Sequence, residues 1–179
     1  LIDGPSKRFG MPGWRLGFIA GPACLTKAVS AILGHTSNAS RPIQHAVQVA
    51  YQSAQAAEAT AEMVRRYQEN RDLFVDGLNT LEGVICPRPE GAFYCFPDVS
   101  GLYGNSYEFD GQSYTISNST DLRNFLLRRA HVAVVEGEPF GMDTHARFSL
   151  AISKADCEAA LKNVARAVGE LSPPRQGQQ

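Results

Sequence analysis

A lysine and an arginine near the start of the chain have residue types and a spacing suited to cofactor chemistry. Lys7 is followed eight residues later by Arg15, and Gly10, Gly13 and Gly17 lie between or beside them, just before an apolar run. A lysine amine that is partly removed from water becomes nucleophilic enough to form a Schiff base. An arginine guanidinium can bind a phosphate through parallel hydrogen bonds. The pair therefore predicts a reactive amine next to an anion site.

The elements that must position these residues indicate an α/β fold. Residues 16–20 are apolar and closed by a Gly-Pro pair, which predicts a buried strand. Helices are expected over residues 23–33 and from Arg41 to about residue 54. A stretch rich in Ala, Glu, Arg and Leu predicts one long helix over residues 56–81.

The remainder of the chain predicts short strands that alternate with helices. We expect a long loop over residues 100–118, which are rich in Gly, Ser, Asn and Tyr. Ser119 is expected to begin a helix to about residue 130, and Ser153 to cap a final helix to about residue 171. The expected strands cover residues 84–86, 92–96, 132–135 and 147–152.

Composition excludes several classes of protein. The 179 residues carry 17 Lys plus Arg against 18 Asp plus Glu, a net charge of -1, so we expect neither a nucleic-acid partner nor a membrane surface. The four cysteines lie far apart, which predicts buried apolar side chains, no metal site and a reducing cytoplasm. Because the chain starts at Leu1 on what reads as the end of a strand, we also expect a fragment or a processed chain.

Residues 6–17, Ser-Lys-Arg-Phe-Gly-Met-Pro-Gly-Trp-Arg-Leu-Gly, closely resemble the S-K-x-aromatic-x-M-x-G-W-R-x-G segment of the class I aminotransferases, especially their bacterial aspartate-aminotransferase-like subgroup. The resemblance implies that Lys7 binds pyridoxal 5′-phosphate covalently and serves as the catalytic base, and that Arg15 binds the cofactor's phosphate. Gly4 stands where many relatives have a serine that touches the phosphate. Ser6 is the candidate to replace that contact.

Three later segments resemble the same family. Residues 89–94 are similar to its P-x-G-A-F-Y segment, and residues 132–141 to its V-A-V-V-P-G-x-x-F-G segment, with Glu136 in place of the usual proline. Residues 146–151 resemble the strand whose arginine binds the substrate's α-carboxylate, which implies that role for Arg147. A planar guanidinium matches a carboxylate with two parallel hydrogen bonds.

Asn38 closes a Thr-Ser-Asn segment similar to a family loop that reaches toward the neighbouring subunit. The resemblance implies a contact of Asn38 with a partner subunit in a homodimer of the full-length protein. An equally supported interpretation is that Ser37 or Asn38 caps the following helix.

The resemblance covers most of the chain and implies the carboxy-terminal half of a fold-type I PLP-transferase. The implied α/β architecture is the end of the large-domain mixed sheet with its helices, plus the small α+β carboxy-terminal domain. The implied parts are a remnant of the PLP-binding large domain over residues 1–55, a long interdomain helix over 56–81, the small domain over 82–171 and a disordered tail over 172–179.

The function implied by the resemblance is transfer of an amino group between an L-amino acid and a 2-oxo acid through pyridoxal 5′-phosphate, within amino-acid metabolism. Two alternatives stay open, because Lys7 and Arg15 would also serve a PLP-dependent lyase or synthase, and because the family's first half is not in this sequence. The second alternative is a non-catalytic fragment or interaction module. The side chain of the substrate cannot be read from these residues.

Overall fold

The computed structural model describes residues 1–35 and 38–174, and it divides into two compact units, one from Leu1 to Val64 and one that begins at Arg65. Thr36 and Ser37 of the predicted Thr-Ser-Asn segment, and residues 175–179 of the predicted tail, lie outside the described residues.

The first unit is built from a strand pair and helices. Strands β1 (Ile2–Asp3) and β2 (Phe18–Ile19) pair in antiparallel fashion. Between them lie the short helix α1 (Pro5–Arg8) and a 3₁₀ turn over Pro12–Trp14, each with a proline in its first turn, where the missing N–H costs no hydrogen bond. Helices α2 (Ala23–Leu33) and α3 (Arg41–Gln52) follow, and α4 (Ala54–Leu78) begins in this unit and ends in the next.

The first unit buries very little apolar surface. Among its described residues, only Pro5 and Val47 are buried, while Ile2 is 83% exposed and Ile32 is 69% exposed. The predicted strand over residues 16–20 exists as β2, but the prediction that it is buried is wrong, because Phe18 is exposed. Burial of apolar side chains is the dominant stabilising term in folding, so this unit has little core of its own.

The second unit has a continuous core around a three-stranded antiparallel sheet. The strand order is β3 (Tyr94–Cys95), β7 (Ala146–Ser149), β6 (Val135–Glu136). Side chains alternate along β7, so Ala146 and Phe148 are buried while Arg147 and Ser149 lie on the other face. The core also takes side chains from the end of α4, from α5 (Ser119–Phe125) and from α6 (Lys154–Gly169), among them Phe74, Leu78, Leu122, Phe125, Cys157 and Val164.

A buried amide ties the sheet to the long helix. Asn70 of α4 donates hydrogen bonds to the carbonyl oxygens of Leu150 (3.1 Å) and Ile152 (2.9 Å), directly after β7. A buried polar group left without partners would cost about 1–3 kcal/mol, so these bonds fix the end of β7 against α4.

The predicted loop over residues 100–118 contains a β-hairpin, which its Gly-, Ser- and Asn-rich composition did not predict. Strands β4 (Ser106–Phe109) and β5 (Gln112–Thr115) pair in antiparallel fashion across a two-residue turn, Asp110-Gly111. Both turn residues have positive φ, 49° and 74°, as a type I′ turn requires. Asp-Gly is a hairpin-turn signal, and the expectation of a long loop without strands over these residues was wrong.

The helix predictions are largely confirmed. Helix α2 spans the predicted residues, α3 begins at Arg41, and Ser153 caps α6 by accepting the Asp156 N–H at 3.1 Å. The cap of α5 is Asn118 and not Ser119: the Asn118 side chain accepts the Asp121 N–H at 2.9 Å. Helix α5 continues as a π-helical turn over Leu126–Ala130.

Some predicted strand boundaries are corrected. The strand expected over residues 84–86 is a single bridge between Ile85 and Asp98, and the one expected over residues 132–135 is reduced to β6. The predicted tail also starts too early. Ser172 exchanges two 2.9 Å backbone hydrogen bonds with Ser106, next to the hairpin that the prediction lacked.

The cysteine prediction holds for three residues of four. Cys86, Cys95 and Cys157 are buried free thiols, and burial raises the pKa of Cys157 to about 11. Cys24 is exposed on α2, a helix that has no buried residue.

Close backbone packing around Gly137 yields a testable prediction. A Cβ at this position would collide with the backbone oxygens of Met142 and His145, which cannot move without distorting the loop before β7. We therefore expect Gly137→Ala to lower the free energy of unfolding by about 1–3 kcal/mol, measured by urea denaturation followed by circular dichroism. Gly91→Ala is the matched control, since a Cβ there meets no atom within 4 Å. Equal stability of the two variants would contradict the packing assigned to Gly137.

Candidate functional site

The predicted lysine and arginine lie near the two ends of a segment that local backbone hydrogen bonds shape. Ser6 and Lys7 lie on α1, which ends where the Phe9 N–H donates to the Pro5 carbonyl at 2.9 Å. The Met11 N–H then donates to the Ser6 carbonyl at 3.1 Å. Gly10 reverses the chain with a φ of 63°, a value that favours glycine.

Lys7 is exposed, which corrects one expectation drawn from the sequence. We expected an amine partly removed from water, but α1 has only four residues and buries Pro5 alone. The described residues therefore leave Lys7 exposed and do not enclose it.

Arg15 has a backbone conformation that is costly for any residue other than glycine. It has φ 51° and ψ 48°, in the left-handed region, directly after the 3₁₀ turn. Such a residue stores about 1–3 kcal/mol of strain, and positions of this kind cluster at functional sites. One guanidinium nitrogen, Nη1, donates to the Pro12 carbonyl at 3.1 Å, which ties the side chain to the turn.

The backbone around Gly4 leaves no room for a side chain. A Cβ on Gly4 would lie 2.9 Å from the Leu16 carbonyl oxygen and 3.3 Å from the Cα of Gly17. A side chain at this position would push apart the two segments that β1 and β2 join. Ser6, which is half-buried on α1, is the hydroxyl that remains near Lys7 in sequence.

Asn38 lines an open pocket of the first unit that has a volume of about 730 Å³. Gly17, Phe18, Arg41 and Tyr51 line the same pocket. Of the two residues considered as the cap of the next helix, Ser37 lies outside the described residues. Asn38 is not the cap, because the cap position of α3 is Ser40.

Arg147, in the second unit, is held between two aromatic rings. Its guanidinium carbon lies 4.5 Å from the centroid of the Tyr94 ring and 4.8 Å from that of the Phe140 ring. The residue is half-buried, and within the described part of the second unit its guanidinium has no hydrogen bond or ion pair. A cation with covered faces and available N–H edges is suited to an anion from outside.

Glu136, which replaces the family's usual proline, is neutralised by another residue. Its carboxylate accepts a 2.6 Å hydrogen bond from Arg123 of α5. Its own backbone N–H and the Arg123 guanidinium hold the pKa of Glu136 below its usual value. Since Val135 is the residue paired with Arg147, Glu136 points to the opposite face of β6. The substitution therefore adds no competitor for Arg147.

The predicted site residues are thus distributed over both units. Ser6, Lys7, Arg15 and Asn38 belong to the first unit, and Arg147 belongs to the second. The sequence motifs contained Tyr94 and Phe140 but assigned them no part in a site. Alternation along β3 and β7 is the signal that could have placed Tyr94 on the face of Arg147.

The described residues contain neither a metal-binding cluster nor a membrane-spanning helix. Within residues 1–35 and 38–174, no three His, Cys, Asp or Glu side chains are grouped so that they could hold a metal ion. Over the same ranges, none of the helices combines the length and the apolar character needed to cross a bilayer.

Comparison with known families decides the family. The sequence model described as aminotransferase class I and II matches residues 1–164. The chain belongs to this family. Its members use pyridoxal 5′-phosphate, as the lysine segment implied.

Relatives of this aminotransferase chain support the subgroup that the sequence indicated. It is 41% identical to a bifunctional aspartate aminotransferase and glutamate/aspartate-prephenate aminotransferase of Petunia hybrida, over 97% of the chain and 36% of that protein. It is 36% identical to an aspartate aminotransferase of Rhizobium meliloti (strain 1021), over 96% of the chain and 41% of that protein. The chain therefore spans less than half the length of these relatives.

Solved structures confirm the predicted fold class. The crystal structure of the aspartate aminotransferase from Rhizobium meliloti superposes with a TM-score of 0.88 and 38% identity, over 96% of this chain and 42% of that one. A Thermus thermophilus aspartate aminotransferase tetra mutant gives a TM-score of 0.78 and 32% identity, over 93% of this chain and 42% of that one. The chain has the α/β fold of part of a fold-type I aminotransferase.

The strained backbone of Arg15 yields a testable prediction. Arg15→Gly and Arg15→Ala both remove the guanidinium, but only glycine adopts the left-handed conformation without strain. We expect the Arg15→Gly variant to be more stable than Arg15→Ala by about 1 kcal/mol. The protein's one tryptophan, Trp14, is the neighbouring residue, so its fluorescence during urea denaturation reports on this segment.

The matched control is the same pair of substitutions at Lys27, an exposed residue inside helix α2. There the order should reverse, because alanine is favoured over glycine in a helix by about 1 kcal/mol. The same order at both positions would contradict the strain assigned to Arg15.

Proposed function

We propose that the chain is the carboxy-terminal part of an aminotransferase that moves an amino group between an L-amino acid and a 2-oxo acid, with pyridoxal 5′-phosphate bound at Lys7. The observation that carries the proposal is the turn between Lys7 and Arg15. It presents an exposed primary amine and a guanidinium held on strained backbone, within the family's cofactor-binding segment.

The residues present fit this cofactor. The Lys7 amine is the group that can condense with an aldehyde, and the Arg15 guanidinium is the group that can bind a phosphate. Ser6 supplies a hydroxyl in place of the side chain that Gly4 lacks. When bound, pyridoxal 5′-phosphate supplies the electron sink that stabilises negative charge at the substrate's Cα.

The chain's own residues would divide the remaining work. Arg147 binds the substrate's α-carboxylate through its N–H edges and so orients Cα. Lys7, once its amine is free, takes the proton from Cα as the general base. The two roles require different groups, since the base must give and take a proton while an arginine stays charged.

We propose an oligomeric state, a domain organisation and a first substrate by analogy with the family. We propose a cytoplasmic homodimer in which Asn38 contacts the partner subunit. The cofactor-binding part covers residues 1–55, an interdomain segment formed mainly by helix α4 covers residues 56–81, and the small domain covers residues 82–171. The activities for which the relatives are named favour aspartate as the first amino acid to test, with glutamate and prephenate next.

A second candidate, a fragment without activity of its own, is favoured by one observation. Among the described residues of the first unit, only Pro5 and Val47 are buried. A cofactor site on a unit with so little core would need further protein surface to fix it. Turnover by the 179 residues alone would argue against this candidate. Turnover that appears only with the amino-terminal part of a relative would support it.

Covalent trapping at Lys7 tests the proposed cofactor attachment. We expect incubation with pyridoxal 5′-phosphate, followed by borohydride reduction, to place the cofactor on the peptide that contains Lys7, because only there does an arginine eight residues away bind the phosphate. Mass spectrometry of the digested protein measures the modified fraction. Arg15→Ala should lower that fraction about tenfold or more at limiting cofactor, consistent with a charge-assisted contact of about 1.5–3 kcal/mol.

Lys27→Ala is the matched control, since Lys27 is also an exposed helical lysine of the first unit. This variant should leave the labelling of Lys7 unchanged, whereas Lys7→Ala should abolish specific labelling. Reduced cofactor distributed evenly over the lysines would contradict the proposed attachment at Lys7.

A further inference from the structure

We infer that Tyr94 and Phe140 are positioning residues that clamp the guanidinium of Arg147, so that its N–H edges are already oriented when a carboxylate arrives. The inference rests on the carboxylate-binding role proposed for Arg147 and deepens it. It assigns a function to two aromatic side chains on either side of the cation.

The geometry of the clamp is that of a cation between two ring faces. The guanidinium carbon lies 4.5 Å from the Tyr94 centroid and 4.8 Å from the Phe140 centroid. Both distances are well inside the approximately 6 Å limit for attraction between a cation and an aromatic ring. A guanidinium also stacks on aromatic faces through its flat surface, which leaves its N–H donors pointing outward in its plane.

Strand pairing and a short helical turn bring the three residues together. The register pairs Tyr94 with Ser149 and Cys95 with Phe148, so Tyr94 and Arg147 lie on the same face of adjacent strands as diagonal neighbours. Phe140 ends the 3₁₀ turn Glu138–Phe140, which follows the tightly packed Gly137.

Phe140 is itself supported by aromatic contacts. Its ring meets Phe96 edge to face with the centroids 5.9 Å apart, and Phe96 also contacts His145 at 5.0 Å. Phe140 remains 49% exposed, so a large ring is kept at the surface where it covers the cation. A structural core residue would be buried instead.

Two acidic side chains of the adjoining segments are engaged with other partners. Glu136 accepts from Arg123, and Asp143 accepts both the backbone N–H (3.1 Å) and the hydroxyl (2.7 Å) of the buried Ser119. These bonds keep two carboxylates of the adjoining segments away from the Arg147 edges. The edges therefore stay available for a ligand.

A second arginine of the same unit, Arg128, also lies over two aromatic rings, but its role is structural. Arg128 lies over Phe109 at 5.2 Å and over Tyr114 at 4.6 Å. Its Nη1, however, donates to the hydroxyl of Tyr107 at 3.4 Å. Arg128 uses its edge to hold the hairpin, whereas Arg147 has no such bond among the described residues of its unit.

Clamping should improve carboxylate binding by removing side-chain freedom before the ligand arrives. Arginine is among the side chains that lose the most rotamer entropy when they are fixed. A ring face at a partly exposed site contributes enough to change a dissociation constant by about two- to fivefold. Loss of one ring should therefore weaken carboxylate binding, while the site should still prefer an anionic ligand.

The test uses the 179-residue chain and the Nε–Hε signal of Arg147 in nitrogen-15 NMR, assigned by its loss in Arg147→Lys. We expect a high order parameter for this bond in the parent chain and a clear decrease in Phe140→Leu. Titration with succinate should shift the signal, and the dissociation constant should rise about two- to fivefold in Phe140→Leu. Tyr94→Leu should act in the same direction, and Tyr94→Phe, which keeps the ring face, should restore both readouts.

Phe109→Leu is the matched control, because it removes a ring from Arg128 and should leave the order and affinity of Arg147 unchanged. An order parameter for Arg147 that is unaffected in Phe140→Leu and Tyr94→Leu would overturn the clamp. So would a decrease in order with no change in the succinate dissociation constant. If Arg147→Lys binds succinate as tightly as the parent chain, the carboxylate role proposed for Arg147 fails and the positioning role fails with it.

Discussion

The alternation of side chains along β7 is the constraint on which the second unit depends. Ala146 and Phe148 enter the core, so Arg147 must lie on the opposite face, where Tyr94 of the neighbouring strand already stands. Asn70 holds the end of β7 through two carbonyl oxygens. A slip of one residue in this register would bury the arginine and expose the phenylalanine. The same pairing that builds the core therefore orients the cation.

The first unit relies on local backbone geometry instead of burial. Turn hydrogen bonds, the positive φ of Gly10 and the proline-initiated helical turns shape the segment from Lys7 to Arg15. Arg15 keeps a strained conformation there that no large core compensates for within the described residues of the unit. Strained residues cluster at functional sites, which agrees with the binding role proposed for Arg15.

The sequence was a good guide where the information is local. Gly21-Pro22 ends one element and allows α2 to start at the next residue, and Ser153 caps α6 with its own hydroxyl, so these boundaries could be predicted from neighbours in the chain. The hairpin turn at Asp110-Gly111 was also a local signal, but the polar residues around it concealed the two short strands. The family resemblance was seen first in the long lysine segment, which is a local pattern as well.

Properties that depend on distant parts of the chain could not be predicted in the same way. The exposure of Phe18 and Lys7 is set by what packs against them, and a strand-like or helix-like pattern does not contain that information. The rings beside Arg147 come from two different segments, and only the pairing of β3 with β7 and the turn after Gly137 bring them to the cation.

Transfer of nitrogen is the chemistry that separates an aminotransferase from a lyase or from an inactive fragment. It can be followed directly with nitrogen-15 aspartate, pyridoxal 5′-phosphate and 2-oxoglutarate, using the chain together with the amino-terminal part of the Rhizobium meliloti relative. We expect the label to appear in glutamate, and to disappear from it when Lys7 is replaced by alanine. Label released as ammonia, or glutamate labelling that is unchanged in the Lys7→Ala variant, would contradict the assignment of this chain to an aminotransferase that works through Lys7.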